Sequence, residues 1–255
     1  MKKLLATSLA LCLLLGSVFV FSGCARRVKY DDADKYSTTE DGIIATEESI
    51  HSVEIYWDGT GVLVSGSFNS DKITAKETET DDPDKSLHYL VEAGVLKIYP
   101  CASGERLGDE PKGLSLELPM SLASSLQSLD IEVKGETKVF LQMIKPAKLS
   151  VNAEDGNVSF DGALTEARVE TVKGNLTVKS NLPIVDLEFV SEIGNADITT
   201  HVYGFTAVMR NEKGSFTTDY AATQNGSIFT CGNPDATFVL DTEGQVALHD
   251  YKIFQ

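Results

Sequence analysis

The sequence predicts an all-β protein: a single-domain β-solenoid, a β-helix-like stack of short strands, preceded by a signal peptide and a flexible tether. Three observations carry this. Apolar residues alternate with period two along most of the chain, and helical periodicity is almost absent. From about residue 129 a strand–glycine–strand unit recurs. The chain opens on a short basic stretch and an apolar run, followed by a polar segment without apolar periodicity.

Met1-Lys2-Lys3 is basic and Leu4 to Phe21 is apolar. Phe21-Ser22-Gly23-Cys24 follows. A small pair before a cysteine resembles the bacterial lipobox, although Phe21 stands where leucine is usual. The resemblance implies a lipoprotein signal peptide over residues 1–23 and a diacylglycerol thioether on Cys24. Two or three acyl chains anchor a protein stably, at about 0.8 kcal/mol per buried CH₂. The competing reading is an uncleaved transmembrane anchor, since 18 apolar residues nearly span a bilayer. Arg26-Arg27 favour that anchor, and Ser-Gly-Cys at the end of the run favours lipidation.

Residues 24–44 are polar and acidic, with Asp31-Asp32-Ala33-Asp34 and Glu40-Asp41-Gly42, and read as a flexible tether. Residues 45–255 read as one domain. Nothing in them is long and apolar enough to span a bilayer, so the domain is expected to be exported, on the extracytoplasmic side of the membrane. The chain carries 22 Lys+Arg against 38 Asp+Glu, a net charge of −16. Lys2 and Lys3 lie in the leader and no acidic residue does, so the remainder carries −18. So acidic a surface excludes nucleic acid as the natural partner, because phosphates need Lys and Arg.

The strands follow in order. Val53-Glu54-Ile55-Tyr56-Trp57, then Asp58-Gly59, then Val62-Leu63-Val64 reads as a hairpin or a strand corner. Ile73 to Thr78 alternates, and Asp81-Asp82-Pro83-Asp84 is an acidic turn. Leu87 to Val91, Ala93-Gly94 and Val95 to Tyr99 make strand, turn, strand. Leu114 to Leu118 is a strand ended by Pro119, and Ser121 to Leu126 gives at most one helical turn.

The repeats, about residues 129–250, align on Gly156, Gly174, Gly194, Gly214 and Gly244, spaced by 18, 20, 20 and 30 residues. Seven and five positions before each glycine lie Leu149/Val151, Ala167/Val169, Leu187/Phe189, Ala207/Met209 and Thr237/Val239. Two and four positions after lie Val158/Phe160, Leu176/Val178, Ala196/Ile198, Phe216/Thr218 and Val246/Leu248. These are the expected inward residues, and glycine is expected at the turn for a positive φ. Consecutive hairpins would form an antiparallel sandwich. One coil per unit would form a solenoid, with strands stacked about 4.8 Å apart. A turn copied at a fixed place favours the solenoid. Asn225-Gly226-Ser227-Ile228-Phe229, inside the longest gap, reads as an irregular coil or a loop with its own strand.

The order of Trp57 near Asp58-Gly59, a strand ending in Glu77, Leu96-Lys97-Ile98, Leu116-Glu117-Leu118-Pro119 and the glycine units resembles a bacterial cell-surface domain family of unknown function called "putative adhesin". The resemblance covers roughly residues 45–255. It implies a β-solenoid head on the cell envelope and supplies no catalytic residues.

The residues point away from chemistry. His51, His88, His201 and His249 are widely spaced, so no metal site is expected. Cys101 and Cys231 have no C-x-x-C spacing; they are two thiols or one disulfide. Nucleophile elbows, phosphate loops and calcium loops are absent, so no catalytic residue and no cofactor is expected. Asn157-Val158-Ser159, Asn175-Leu176-Thr177 and Asn225-Gly226-Ser227 match sequons and read as turn chemistry. Tyr56 and Trp57 read as a plug for the open end of the stack, or as a recognition patch.

The function expected is a membrane-anchored, non-catalytic adhesin-like lipoprotein. It would bind membrane lipid through lipidated Cys24, and an envelope protein or cell-wall polymer through its faces, where Asn152, Glu154, Arg168, Glu170, Lys173, Lys179 and Glu188 point outward. The alternatives are an accessory of an envelope-stress sensing system, or a polysaccharide-active β-helix enzyme. The enzyme would use Glu170, Asp186 and Glu188 with Arg168.

Overall fold

The structure, a computed structural model, describes residues 27–78, 82–107 and 112–251. The expected signal peptide and Cys24 lie outside these residues. Two mixed sheets, of 12 and 9 strands, enclose one apolar core.

The first strand, β1 (Ser37–Thr38), is short. β2 (Ser52–Asp58) and β3 (Gly61–Ser67) form a rung, one strand in each sheet. β4 (Thr74–Glu77), at the edge of the smaller sheet, and β5 (His88–Glu92), between β1 and β6 in the larger, are antiparallel to their neighbours. β6 (Val95–Tyr99) and β7 (Gly113–Pro119) form a second rung. The helical turn α1 (Met120–Ala123) leads into four rungs: β8 (Ser128–Lys134) with β9 (Lys138–Gln142), β10 (Lys148–Ala153) with β11 (Val158–Gly162), β12 (Glu166–Lys173) with β13 (Leu176–Ser180), and β14 (Asp186–Ile193) with β15 (Ala196–Thr200). β16 (Phe205–Met209) and β17 (Ser215–Thr218) follow. A hairpin, β18 (Thr223–Asn225) and β19 (Ile228–Cys231), precedes the last rung, β20 (Ala236–Asp241) with β21 (Gln245–Asp250).

Each glycine unit turns a corner between sheets and does not close a hairpin. Successive units pair parallel, with equivalent residues opposite: Leu149 faces Ala167, which faces Leu187. The larger sheet runs β1-β5-β6-β2-β8-β10-β12-β14-β20-β16-β19-β18, and the smaller β17-β21-β15-β13-β11-β9-β3-β7-β4. The rungs are therefore out of chain order at both ends. β6/β7 lies outside β2/β3, and β20/β21 is inserted between β14/β15 and β16/β17. This insertion explains the 30-residue gap. The chain lays the outermost rung first, covers its edge with β18 and β19, then returns to fill the space.

Most expected inward residues are inward. Leu149, Val151, Phe160, Leu176, Phe189 and Leu248 are buried. The exceptions are Thr237 and Val239, which face outward while Ala236, Phe238, Leu240 and Thr242 face the core. The turn before Gly244 is one residue shorter than its counterparts, and a one-residue slip in a strand exchanges its faces.

The reason for the repeated glycine is also different from the one expected. Gly156, Gly174, Gly194, Gly214 and Gly244 are not among the positive-φ glycines. What they need is contact. A β-carbon on Gly174 would lie 2.2 Å from the carbonyl oxygen of Gly156, and one on Gly194 2.0 Å from that of Gly174. One on Gly244 would meet the carbonyl of Gly194 at 2.0 Å, although the two are 50 residues apart in sequence. The corners stack backbone on backbone. Beside them runs an asparagine ladder: Asn157 Oδ1 accepts from the Asn175 amide at 2.8 Å, Asn175 Oδ1 from Asn195 at 2.9 Å, and Asn195 Oδ1 from Gln245 at 2.7 Å. The sequon asparagines Asn157 and Asn175 thus satisfy turn amides.

Residues 27–44, expected from composition to be a free tether, lie against the domain. Val28 pairs with 104 and 105 through two backbone hydrogen bonds, β1 pairs with β5, and Ile44 is buried beside Ile73. A strap of this kind covers edge strands of both sheets, where unpaired N–H and C=O groups invite association.

Gly174→Ala should destabilise the fold by about 3 kcal/mol, because the methyl group must force two backbones apart. Gly135→Ala, at φ +61 with open space around it, should cost only about 1 kcal/mol. Urea denaturation of both variants tests the order; a larger loss at Gly135 would return the corners to a φ requirement.

Candidate functional site

The outer face of the larger sheet brings together the four residues that an enzyme would use. Parallel register sets Arg168 opposite Glu188, and Glu166 opposite Asp186. Arg168 bonds both Glu170 and Glu188, and Arg210 reaches Glu188 Oε1 at 2.9 Å. The hydrogen bonds to Glu170 and the two carboxylates together hold the Arg168 guanidinium above its ordinary value. A shallow groove of about 470 Å³ runs past Ser150, Arg168, Asp186 and Glu188. All four candidates lie on one flat face. Glu170 and Glu188, bound by Arg168 and Arg210, are charge-compensated acceptors on one face, whereas glycoside cleavage uses carboxyls on opposite sides of a bond.

The rest of the face is a lattice of exposed pairs: Lys97 with Glu54, Lys134 with Glu132 and Lys148 with Glu166. Of the other expected outward residues, Asn152, Lys173 and Lys179 are exposed, and Glu154 is half-buried with an oxygen on the Gly135 amide. Exposed pairs each contribute at most about 1 kcal/mol.

The second site is the strap end. Trp57 is buried at 2 % exposure, one rung in from the edge, and its Nε1 donates to the Lys112 carbonyl at 3.1 Å. It therefore does not plug the terminus. Beneath it, the Lys112 ammonium meets Glu77 Oε2 and donates to the carbonyls of Lys85 and Pro100. Two hydrogen bonds and the Glu77 carboxylate compensate this buried cation.

Tyr56 lies outward and stacks on Tyr99 at 4.7 Å with rings 6° apart. Tyr30 from the strap sits 4.1 Å from Tyr99, and Tyr36 4.4 Å from Tyr30. Tyr30 donates its hydroxyl to the Cys101 carbonyl at 3.2 Å. Tyrosine is what lets a polar segment dock: its ring buries area while its hydroxyl keeps a partner. The strap tyrosines were the signal within 24–44, hidden by the acidic residues between them.

The other sequence candidates do not converge. His201 pairs with Asp250 at 3.1 Å and His249 with Asp219 at 3.0 Å, while His51 and His88 bond Ser52 Oγ and the Ser86 carbonyl. Among the described residues no group of three His, Cys, Asp or Glu is arranged to hold a metal ion. Cys101, just after β6, and Cys231, at the end of the hairpin strand β19, are both free thiols at opposite ends of the stack. Burial pushes the Cys101 thiol up to about 11. Asp82 Oδ1 accepts from the Asp84 amide, so that acidic turn caps itself; Asp81 lies outside the described residues.

Burial pushes Tyr30 and Tyr220 up from 10.0 to about 12, and raises Tyr99 further. A folded-state value above the unfolded one gives stability that is complete below about pH 10 and is lost as pH rises through 12. Alkaline titration should show a set of late-ionising tyrosines whose ionisation accompanies loss of near-UV circular dichroism. Tyr30→Phe should flatten that loss. Ionisation of every tyrosine near 10 with the fold intact would contradict this account of the strap.

No family model matches this chain, and no curated protein matches it. Among solved structures it is similar to a "putative cell adhesion protein" from Clostridium sporogenes, with TM-score 0.46 and 14 % identity over 85 % of this chain and 98 % of that one. It is similar to a "putative adhesin" from Bacteroides fragilis, with TM-score 0.42 and 14 % identity over 85 % and 97 %. A third, a "putative lipid binding protein" from Parabacteroides distasonis, has TM-score 0.29 and 11 % identity over 89 % and 100 %.

Proposed function

We propose that this chain is a cell-envelope lipoprotein, anchored through acylated Cys24, whose β-solenoid domain binds or scaffolds envelope or extracellular partners without catalysing a reaction. One observation supports the non-catalytic part above all: the carboxylates best placed for chemistry are held by Arg168 and Arg210 on a flat, solvated face. A flat face whose outward positions are in register from rung to rung suits a polymer or a protein surface, which is met at many weak contacts. It does not suit a small substrate that must be enclosed and dehydrated. The leader, ending in Phe21-Ser22-Gly23-Cys24, supports the anchor.

Two measurements test this. Cys24→Ala should abolish metabolic labelling with palmitate, leave an unprocessed precursor and change the mass of the mature amino terminus. Unchanged processing and labelling would remove the lipid anchor from the reading. The wild-type chain, incubated with cell-wall polysaccharides with and without calcium, should sediment with at least one polymer and release no reducing or unsaturated ends. Product formation abolished by Glu188→Gln would overturn the non-catalytic assignment.

A further inference from the structure

The strap begins on a concentration of positive charge in a chain that is otherwise strongly acidic. Arg27 and Arg106 face each other across an antiparallel bridge, fixed by the Val28 amide on the Glu105 carbonyl at 3.0 Å and the Gly104 amide on the Val28 carbonyl at 2.7 Å. Residues opposite one another in such a pair project to the same face, and like charges placed there repel. Lys29 is two residues along the strand from Arg27, and all three side chains are exposed. None of the three forms an ion pair among the described residues. Of the carboxylates that share a groove with Arg27 and Lys29, Glu132 is held by Lys134 at 2.7 Å. Three cations are thus held together, none of them in an ion pair among the described residues although Asp31 shares a surface pocket with Lys29, beside the half-buried rings of Tyr30, Tyr56 and Tyr99.

Position supplies the occupant. Arg27 is three residues from Cys24, and three residues of extended chain reach at most about 11 Å. We propose that this end of the molecule, presenting Arg27, Lys29 and Arg106, rests on the anionic phosphate headgroups of the bilayer in which Cys24 is anchored. The inference rests on the lipid-anchor reading above. Its chemistry suits the interface on two counts. Lys and Arg gain from anionic lipid within a Debye length, and tyrosine concentrates at headgroup depth. The remaining surface, with its large negative charge, is repelled by the same lipids. The contact therefore sets which end faces down and stands the stack on its first rungs. Each cation should favour that orientation by about fivefold on anionic lipid.

The test uses the mature chain purified from membranes and inserted into vesicles, either all-neutral or one-third phosphatidylglycerol. Energy transfer from Trp57, the single tryptophan, to a dansyl-labelled headgroup reports how close the strap end lies. Transfer should be high on anionic vesicles at low salt, fall at 0.5 M salt (on the order of a 4 Å screening length), and be low on neutral vesicles. The triple variant Arg27→Gln, Lys29→Gln, Arg106→Gln should give the neutral-vesicle value on both lipids. Equal transfer on the two lipids at all salts would overturn the proposal, whatever the variant does. That wild-type comparison decides the matter even where the variant fails to fold. The anchor is read separately, by flotation with neutral vesicles at high salt. A chain that floats but shows flat transfer loses only the headgroup contact; a chain that does not float loses the lipid anchor and this proposal together.

Discussion

Contact between backbones at the corners is the constraint from which the rest of the architecture follows. With carbonyl oxygens of one rung about 2 Å from where the next glycine's β-carbon would stand, the corners can hold the spacing of a parallel ladder only without side chains. Once the corners are set, register is fixed. Asn157, Asn175 and Asn195 fall in line and serve the amides that the turn leaves open. Strand positions counted from the corner then alternate between core and solvent without slippage. Buried hydroxyls complete the corners: Thr137 Oγ1 donates to the Gly59 carbonyl and Thr242 Oγ1 to that of Gly194. An apolar residue there would leave a carbonyl unpaired in the interior.

A ladder of parallel strands solves its interior and leaves its two ends exposed. Here both ends are closed by antiparallel strands that do not belong to the repeat: β5 and β1 at one end of the larger sheet, β19 and β18 at the other. The displaced chain order is part of the same solution. β20/β21 is inserted after β16/β17 has been laid down, so the last rung is gripped on both sides and the final strand is an interior one. Pairing Gly194 with Gly244 closes a loop of about 50 residues, at a greater closure entropy than the 18- or 20-residue step between neighbouring units.

Much of this was legible in the residues, because a period-two pattern with a marked corner maps directly onto which face is buried. Leu187/Phe189 and Leu176/Val178 needed only counting from a glycine, and the turn between β5 and β6 announced itself through Gly94, which accepts positive φ. Rung order was hidden for a physical reason. Stacking follows corner complementarity, and the shared Gly-x-Leu-type spacing is the same for a neighbour 20 or 50 residues away. The outward turn of Thr237 and Val239 was hidden by one missing turn residue, which leaves the strand's own alternation intact. Trp57 was misplaced because β6/β7, later in sequence, packs outside it. The pairing of Arg168 with Glu188 followed from the alignment, six positions before Gly174 and Gly194, whereas the reach of Arg210 to Glu188 was hidden because β20 lies between their strands.

The strap changes what an anchor at Cys24 means. Composition places seventeen or so polar residues between lipid and fold, and a coil of that length would let the domain turn freely and stand off by several nanometres. Val28, Tyr30, Tyr36, β1 and Ile44 are all bound to the first rungs, so residues 27–44 do not act as a spacer. An anchored chain is then joined to its membrane through the edge cover of both sheets, and its orientation becomes a property of the fold. The same contacts seal the open end of the stack and leave its long charged sides exposed.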